Sequence, residues 1–216
     1  AAPGKTPCPT SAIKDAMKDI MIRDAVEGDA RALAEVCVMA GHGVMELFYE
    51  GLVPGKSVID CVMTRRILDR DSFATFRRWR VATDGAGQIL GAMNSLPHKA
   101  LMSAPDDPLL DEAKMRPIAA LLELEEIPLG SYYVNIIAVY PQHRRSGAGA
   151  ALMRDAEHLA RVQKFSRMSL CTFEDDPGLM GFYRGQGFEP QARRAIVPHP
   201  AIGKSGHFVL MTRALQ

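Results

Sequence analysis

A pair of arginines and a run of small residues follow the apolar stretch that ends at Val139, in the segment "VYPQHRRSGAGAAL" of residues 139–152. Gly147 and Gly149 alternate with serine and alanine, and a helical pattern begins immediately afterwards. The first turn of a helix carries unpaired backbone N–H groups and roughly +0.5 of a charge, and glycine lets an anion approach these groups closely. Arginines add donors that suit a phosphate. Residues 144–150 are therefore predicted to bind a phosphate group.

Two common phosphate loops do not fit this segment. A Walker A loop ends in Gly-Lys-Ser/Thr, which the segment lacks. A dinucleotide-binding fingerprint needs a third glycine, where this sequence has Leu152. Its glycines also follow the strand at once, whereas residues 140–146 separate Val139 from Gly147. The segment alone leaves two interpretations open: a pyrophosphate loop for coenzyme A, and an ordinary capped start of a helix.

A second motif, "GFYRGQGF" at residues 181–188, follows downstream of the loop. The segment "IIAVYPQHRRSGAGAALM" resembles the acyl-CoA-binding signature of the GNAT superfamily of N-acetyltransferases, and the second motif resembles that family's C-terminal Phe-Tyr-x-x-x-Gly-Phe helix. Two motifs in the family's order are more specific than either motif alone, and the order of elements from Asp19 to Arg213 also fits. The matching residues are Arg144, Gly147 and Gly149 in the first motif and Phe182, Tyr183, Gly187 and Phe188 in the second.

The resemblance implies acetyl-CoA as co-substrate, without a metal, and an α/β fold of the α+β type. The implied fold has a twisted, mostly antiparallel central sheet that splays at the acyl-CoA site, with helices on both faces. One strand would offer its exposed backbone to the pantetheine arm, and the loop would bind the pyrophosphate. The cofactor-binding residues expected on this basis are Ile137, Ala138, Val139, Arg144, Arg145, Ser146, Gly147, Ala148, Gly149, Ala150, Asp176 and Tyr183.

The family's reaction is the direct transfer of an acetyl group from a thioester to an amine, and the resemblance makes Tyr183 the expected general acid. Many relatives place a glutamate in the strand before the loop, but residues 134–137 contain no carboxylate. The nearest acidic residues precede that strand, and Glu125 is the expected catalytic base. His98 is a second candidate base. Residues expected on the acceptor side are Asn135, Glu123 and Glu126.

The expected activity is N-acetylation of a primary amine on a small molecule or a peptide. Two alternatives stay open at this point. The missing strand carboxylate is compatible with a catalytically silent module that binds or senses acyl-CoA, and the loop is compatible with another nucleotide or dinucleotide ligand. The segment of residues 97–130 is acidic; if it borders the acceptor site, it would favour a cationic amine.

Several elements must position these residues. The nearly continuous apolar segment at residues 131–139 predicts a central strand that is buried on both faces. Leu152, Ala156 and Leu159 recur at helical spacing and predict a long amphipathic helix after the loop. A first strand is predicted at 19–25, followed by a helix whose inward face includes Leu33, Val36, Cys37 and Ala40. Ser57 and Asp60 form a capping box that begins another helix. A hairpin of strands 76–83 and 88–96 is predicted around "DGAG", and further strands are predicted at 166–173, "RRAIV" and "HFVLMTR".

Composition limits the remaining possibilities. The chain of 216 residues is 47% hydrophobic and 24% charged, with a net charge of +1, which gives no reason to expect nucleic acid or membrane as a partner. Four scattered cysteines are typical of reduced thiols, so we expect a cytoplasmic protein. Residues 1–18 are expected to be a disordered or cloning-derived tail, and 19–216 a single domain with an insertion at about 97–130. A homodimer is compatible with this sequence, and the arginines of residues 65–80 are expected on a solvated surface.

Overall fold

The computed structural model describes residues 20–105 and 107–216, so the predicted tail and Asp106 lie outside the described residues. Within these ranges the chain forms a seven-stranded sheet in the order β1-β2-β3-β4-β5-β7-β6. Every neighbouring pair is antiparallel except β4 and β5. The strands are β1 (Met21–Asp24), β2 (Trp79–Thr83), β3 (Ile89–Pro97), β4 (Tyr132–Val139), β5 (Arg167–Phe173), β6 (Glu189–Ala195) and β7 (His207–Ala214).

Helices cover both faces of this sheet. Adjacent residues of one strand belong to different apolar clusters: Ile136 packs with the cluster of the N-terminal helices, and Ile137 packs with the cluster around the helix that follows the loop. The mixed α/β class is therefore confirmed. The helices are α1 (Ala30–Gly41), α2 (Val44–Tyr49), α3 (Val58–Val62), α4 (His98–Met102), α5 (Glu112–Met115), α6 (Ala119–Glu125), α7 (Ala148–Val162) and α8 (Pro177–Gly185).

Local sequence signals explain several of these boundaries. The capping box is present at the start of α3, where the Asp60 N–H donates to Ser57 Oγ at 3.1 Å and the Ser57 N–H donates to Asp60 Oδ2 at 3.2 Å. The predicted strand of residues 76–83 is shorter than expected, because Phe76–Arg78 form a 3₁₀ turn before β2. The Arg78 N–H donates to the Thr75 carbonyl at 2.9 Å and closes that turn.

The insertion is helical and is fastened to the N-terminal helices. Lys114 of α5 donates to the carbonyl oxygens of Leu47 and Phe48, at 3.2 and 3.1 Å, on α2. Asp107 accepts from the Tyr49 hydroxyl at 2.9 Å and pairs with Arg65. These contacts hold the insertion beside α2 and the π-helical turn Met63–Ile67 that continues α3.

The sheet splays between β4 and β5. Strand β4 pairs with β3 along its whole length, with a bulge at Asn135, but it pairs with β5 only at Tyr132 and Tyr133. The predicted burial on both faces is therefore correct for Tyr132, Tyr133 and Val134 alone. The rest of β4 is only partly buried, because no strand of the described residues covers its edge facing β5.

Candidate active site

The opening between β4 and β5 leads into a cavity of ≈ 1720 Å³. A pocket for one drug-sized ligand has about 300–1,000 Å³, so this volume accommodates two substrates side by side. The cavity is lined by β4, by the first turn of α7, by α8, by α1 and α2, and by the insertion. It thus joins the predicted phosphate loop to the acidic segment of residues 97–130.

The phosphate loop forms the first turn of α7. Gly147 is the N-cap residue with φ of +95°, a backbone conformation that favours glycine, and Arg145 also has a positive φ of +66°. The Ala148 N–H reaches Ser146 Oγ at 3.3 Å, and the next N–H groups of the first turn have no partner within the helix. Arg144 and Arg145 are exposed at the rim. The loop residues that line the cavity are Arg144, Arg145, Gly147, Ala148, Gly149 and Ala150, but not Ser146.

The outer half of β4 presents unpaired backbone to the same cavity. Ile137, Ala138 and Val139 pair with Met93, Ala92 and Gly91 of β3, which leaves their other edge without a strand partner among the described residues. Backbone N–H and C=O groups on such an edge can pair with an amide-bearing chain. The edge and the loop together therefore suit a long ligand with amides at one end and phosphates at the other.

Helix α8 begins where Asp176 accepts a hydrogen bond from the Leu179 N–H at 2.9 Å, and Pro177 occupies its first turn. The second oxygen of Asp176 lies 3.5 Å from Lys204 Nζ. Tyr183 is buried on this helix, and burial, followed by the negative charge of Asp176, raises the pKa of its hydroxyl. Tyr183 therefore keeps its proton at neutral pH, while Asp176 serves the start of the helix.

Glu125 ends α6 and lines the cavity. Its Oε1 accepts from the Tyr133 hydroxyl at 2.8 Å, and its backbone carbonyl accepts from the His98 ring. Burial raises the pKa of the carboxyl to about 7, against the opposing effects of the Tyr133 hydrogen bond and the charge of Arg66. A carboxyl with this pKa exchanges protons readily at neutral pH.

Residues 74–188, more than half of the chain, match the sequence profile of the Acetyltransferase (GNAT) family. The chain belongs to the GNAT family. Members of this family are N-acetyltransferases that use acetyl-CoA, and so is this enzyme.

Solved structures share the fold of this GNAT chain at low sequence identity. An N-acetyltransferase from Staphylococcus aureus Mu50 is 15% identical and has a TM-score of 0.61, covering 89% of this chain and 99% of its own. A GCN5-related N-acetyltransferase from Kribbella flavida is 18% identical with a TM-score of 0.59, covering 92% and 99%. A chain of the NatC complex bound to Gag peptide and CoA is 15% identical with a TM-score of 0.51, covering 92% and 99%. No curated protein matches the sequence.

The predicted acceptor residues occupy different places in this GNAT fold. Asn135 lines the cavity at the β4 bulge and donates to Asn94 Oδ1 at 2.9 Å, and Glu126 lines the cavity from an exposed position. Glu123 does not line it: its side chain is 61% exposed and pairs with Arg194 at 3.0 Å. Residues two apart on a helix do not share a face, so α6 cannot direct both Glu123 and Glu125 inward.

Other side chains of the site were interpreted differently from sequence or missed. His98 is fully buried, its ring bonds to the Glu125 backbone carbonyl, and it does not line the cavity, so its place does not support the role of a base. The sequence predicts Tyr133 only as part of the buried strand, but its hydroxyl also donates to Glu125. Arg66 was expected on a solvated surface but lines the cavity. Burial raises the pKa of the Cys171 thiol, which disfavours the thiolate that a nucleophile needs.

The described residues include neither a membrane-spanning helix nor a metal-binding group. Within residues 20–105 and 107–216, no helix is long and apolar enough to cross a membrane. The same part of the chain contains no group of three His, Cys, Asp or Glu side chains placed to hold a metal ion.

Proposed function

We propose that this enzyme transfers an acetyl group from acetyl-CoA directly to a primary amine of a small molecule or peptide. One observation carries the proposal: the Glu125 carboxyl lines the same cavity as the free edge of β4 and the first turn of α7. The carboxyl that the sequence lacks within the strand is supplied from α6, beside Tyr133. This placement supports catalysis over a silent acyl-CoA sensor.

The free edge of β4 and the loop hold the co-substrate. The backbone of Ile137, Ala138 and Val139 pairs with the amides of the pantetheine arm, and the N–H groups at the start of α7 bind the pyrophosphate. Arg144 and Arg145 add charge at the rim, where their fixed donors suit phosphate oxygens. Asp176 caps the start of α8 and lines the cavity, and it is proposed to lie on the cofactor side.

Glu125 receives a proton from the acceptor amine, directly or through water, because only a neutral amine attacks a carbonyl carbon. The amine nitrogen then bonds to the thioester carbon, and the carbon–sulfur bond breaks. Tyr183 donates its proton to the departing thiolate and is reprotonated through water by the proton that the amine nitrogen loses after attack, which yields the free thiol of CoA and the acetylated amine. Asn135 and Glu126 face the acceptor from β4 and the insertion.

The direct test is a measurement of CoA release with acetyl-CoA and a broad panel of amines. We expect turnover with at least one amine class, and mass spectrometry should show one added acetyl group on the amine. Tight binding of acetyl-CoA without turnover on any amine would favour the silent module instead.

The free thiols of Cys37, Cys61 and Cys171 agree with the cytoplasm as the proposed compartment.

A further inference from the structure

Arg66 lies in an aromatic enclosure on the wall of the cavity. Its guanidinium carbon is 5.4 Å from the ring centroid of Phe48, 5.6 Å from that of Tyr49 and 5.5 Å from that of Phe73. Its Nε donates to the Tyr49 hydroxyl at 2.9 Å. All four residues line the cavity. Three rings and one hydrogen bond therefore fix the direction of this guanidinium before any ligand binds.

The neighbouring arginine shows what is unusual about Arg66. Arg65 is paired with Asp107 through two hydrogen bonds, so its charge is already matched. Among the described residues, no carboxylate pairs with Arg66. A guanidinium has five N–H donors, and the Tyr49 hydroxyl uses one of them. Arg66 is partly buried on the cavity wall, where an unmatched charge is costly, so an anion from a ligand is the natural partner.

Arg66 and Glu125 are a cationic and an acidic side chain at the end of the cavity assigned to the acceptor. Both line it, and the charge of Arg66 is close enough to act on Glu125. The planar fork of arginine fits a carboxylate in a bidentate manner. The loop that suits phosphates lies elsewhere, at the start of α7. Apolar side chains of the insertion also line the cavity: Leu101, Met102, Met115, Leu121 and Leu122.

We infer that the acceptor is an amino acid with an apolar side chain, whose carboxylate binds Arg66 while its amine faces Glu125. This inference rests on the proposed acetyl transfer and narrows it to amines that carry a carboxylate. It replaces the expectation that the acidic insertion selects a cationic amine. Two carboxylates of the insertion already form ion pairs with arginines of the same chain: Asp107 with Arg65, and Glu123 with Arg194.

The test compares matched acceptors that differ only at the carboxylate. Leucine, leucinamide and isopentylamine form one set, phenylalanine, phenylalaninamide and phenethylamine a second, and spermidine represents a polycation. We expect kcat/KM to be at least about tenfold higher for the amino acid than for its amide, because a charge-assisted bidentate pair is lost in the amide. Equal rates, or a preference for the amides or for spermidine, would overturn the inference.

Variants of Arg66 assign the preference to its guanidinium. In Arg66→Met the ratio of kcat/KM for acid over amide should fall towards one. Arg66→Lys keeps a cation but lacks the fork, so an intermediate ratio is expected. Arg70→Gln, an exposed arginine nearby, is the matched control and should keep the wild-type ratio. A role of Arg66 in packing alone would lower the rates for acid and amide together and leave the ratio unaltered.

Binding separates a failure of this inference from a failure of the proposed function. If no amine is acetylated, the proposed transfer is wrong, but thermal-shift titration of leucine against leucinamide in the presence of CoA still tests Arg66. Stabilisation by leucine that is lost in Arg66→Met and kept in Arg70→Gln would support the carboxylate site. Absence of any difference between leucine and leucinamide would reject it. If amides are acetylated as well as acids, only the inference about the carboxylate fails.

Discussion

At the scale of single residues, Glu125 combines two conditions that a general base needs: access to the cavity and a pKa of about 7. Replacing it with glutamine should lower kcat by about 10²–10⁴, and it should remove the rise in rate that the wild type shows as pH increases through 7. The measurement is a pH profile of kcat at saturating acetyl-CoA. Glu123→Gln, on the outer face of the same helix, is the control and should keep the wild-type profile. An unaltered rise in Glu125→Gln would assign it to another group.

The same carboxyl makes a prediction about stability. Because folding raises the pKa of Glu125, the folded protein binds more protons than the unfolded chain between the ordinary carboxyl pKa and about 7. Stability from this group is therefore complete at low pH and is lost as pH rises through 7. The shift corresponds to roughly 3 kcal/mol at most, since part of the side chain faces the cavity. Urea unfolding should show that Glu125→Gln gains stability relative to wild type at pH 8 but not at pH 4.5.

Tyr183 should affect chemistry more than binding. Burial and the charge of Asp176 raise its pKa, so the hydroxyl is protonated at neutral pH and has a proton to donate. Tyr183→Phe keeps the ring against Phe182 and Phe188, and kcat should fall by about 10²-fold or more with little change in the Kd of acetyl-CoA. Tyr140→Phe is the control, because the Tyr140 hydroxyl bonds to Glu35 and does not line the cavity. Loss of CoA binding in Tyr183→Phe would indicate a packing role instead.

At the scale of elements, the start of α7 depends on backbone that only glycine adopts easily. Gly147 has φ of +95°, so Gly147→Ala should cost about 1–3 kcal/mol in strain or shift the loop. We expect weaker binding of acetyl-CoA by calorimetry and a lower melting temperature. Gly185→Ala in α8, where a Cβ meets nothing within 4 Å, is the matched control: it should leave the affinity unchanged and should not lower the melting temperature. Unchanged affinity in Gly147→Ala would show that this loop does not bind the phosphates.

Elements with strong local signals could be predicted from sequence, and long-range placements could not. The capping box at Ser57, the hairpin around residues 84–87 and the helix after Gly147 depend on neighbours within a few residues. The position of Arg66 depends on rings from α2 and from Phe73, which no local pattern encodes, so it was assigned to the surface. The place of Glu125 likewise depends on how the insertion returns to β4.

At the scale of the whole molecule, acetyl-CoA should stabilise the fold because it binds only the folded chain. At a concentration of 100 times Kd the stabilisation is about 2.7 kcal/mol, which corresponds to an increase of roughly 5–10 °C in melting temperature for a domain of this size. Differential scanning fluorimetry with acetyl-CoA, NAD and ATP measures it. Stabilisation by NAD without stabilisation by acetyl-CoA would contradict the assignment of the cavity.

The splay of the sheet also has a mechanical consequence. Among the described residues, only Tyr132 and Tyr133, paired with Met168 and Ser169, join the ladder of β1–β4 to the ladder of β5–β7 by backbone pairing. Beyond these two residues β4 has no strand partner on that side within the described chain, and the two ladders diverge. A substrate whose amides pair with β4, and which also contacts α8 on the side of β5, would bridge the two ladders. The substrate would add to the link that α7 already makes by packing on strands of both ladders, so we expect the two halves to be held most firmly when the cavity is filled.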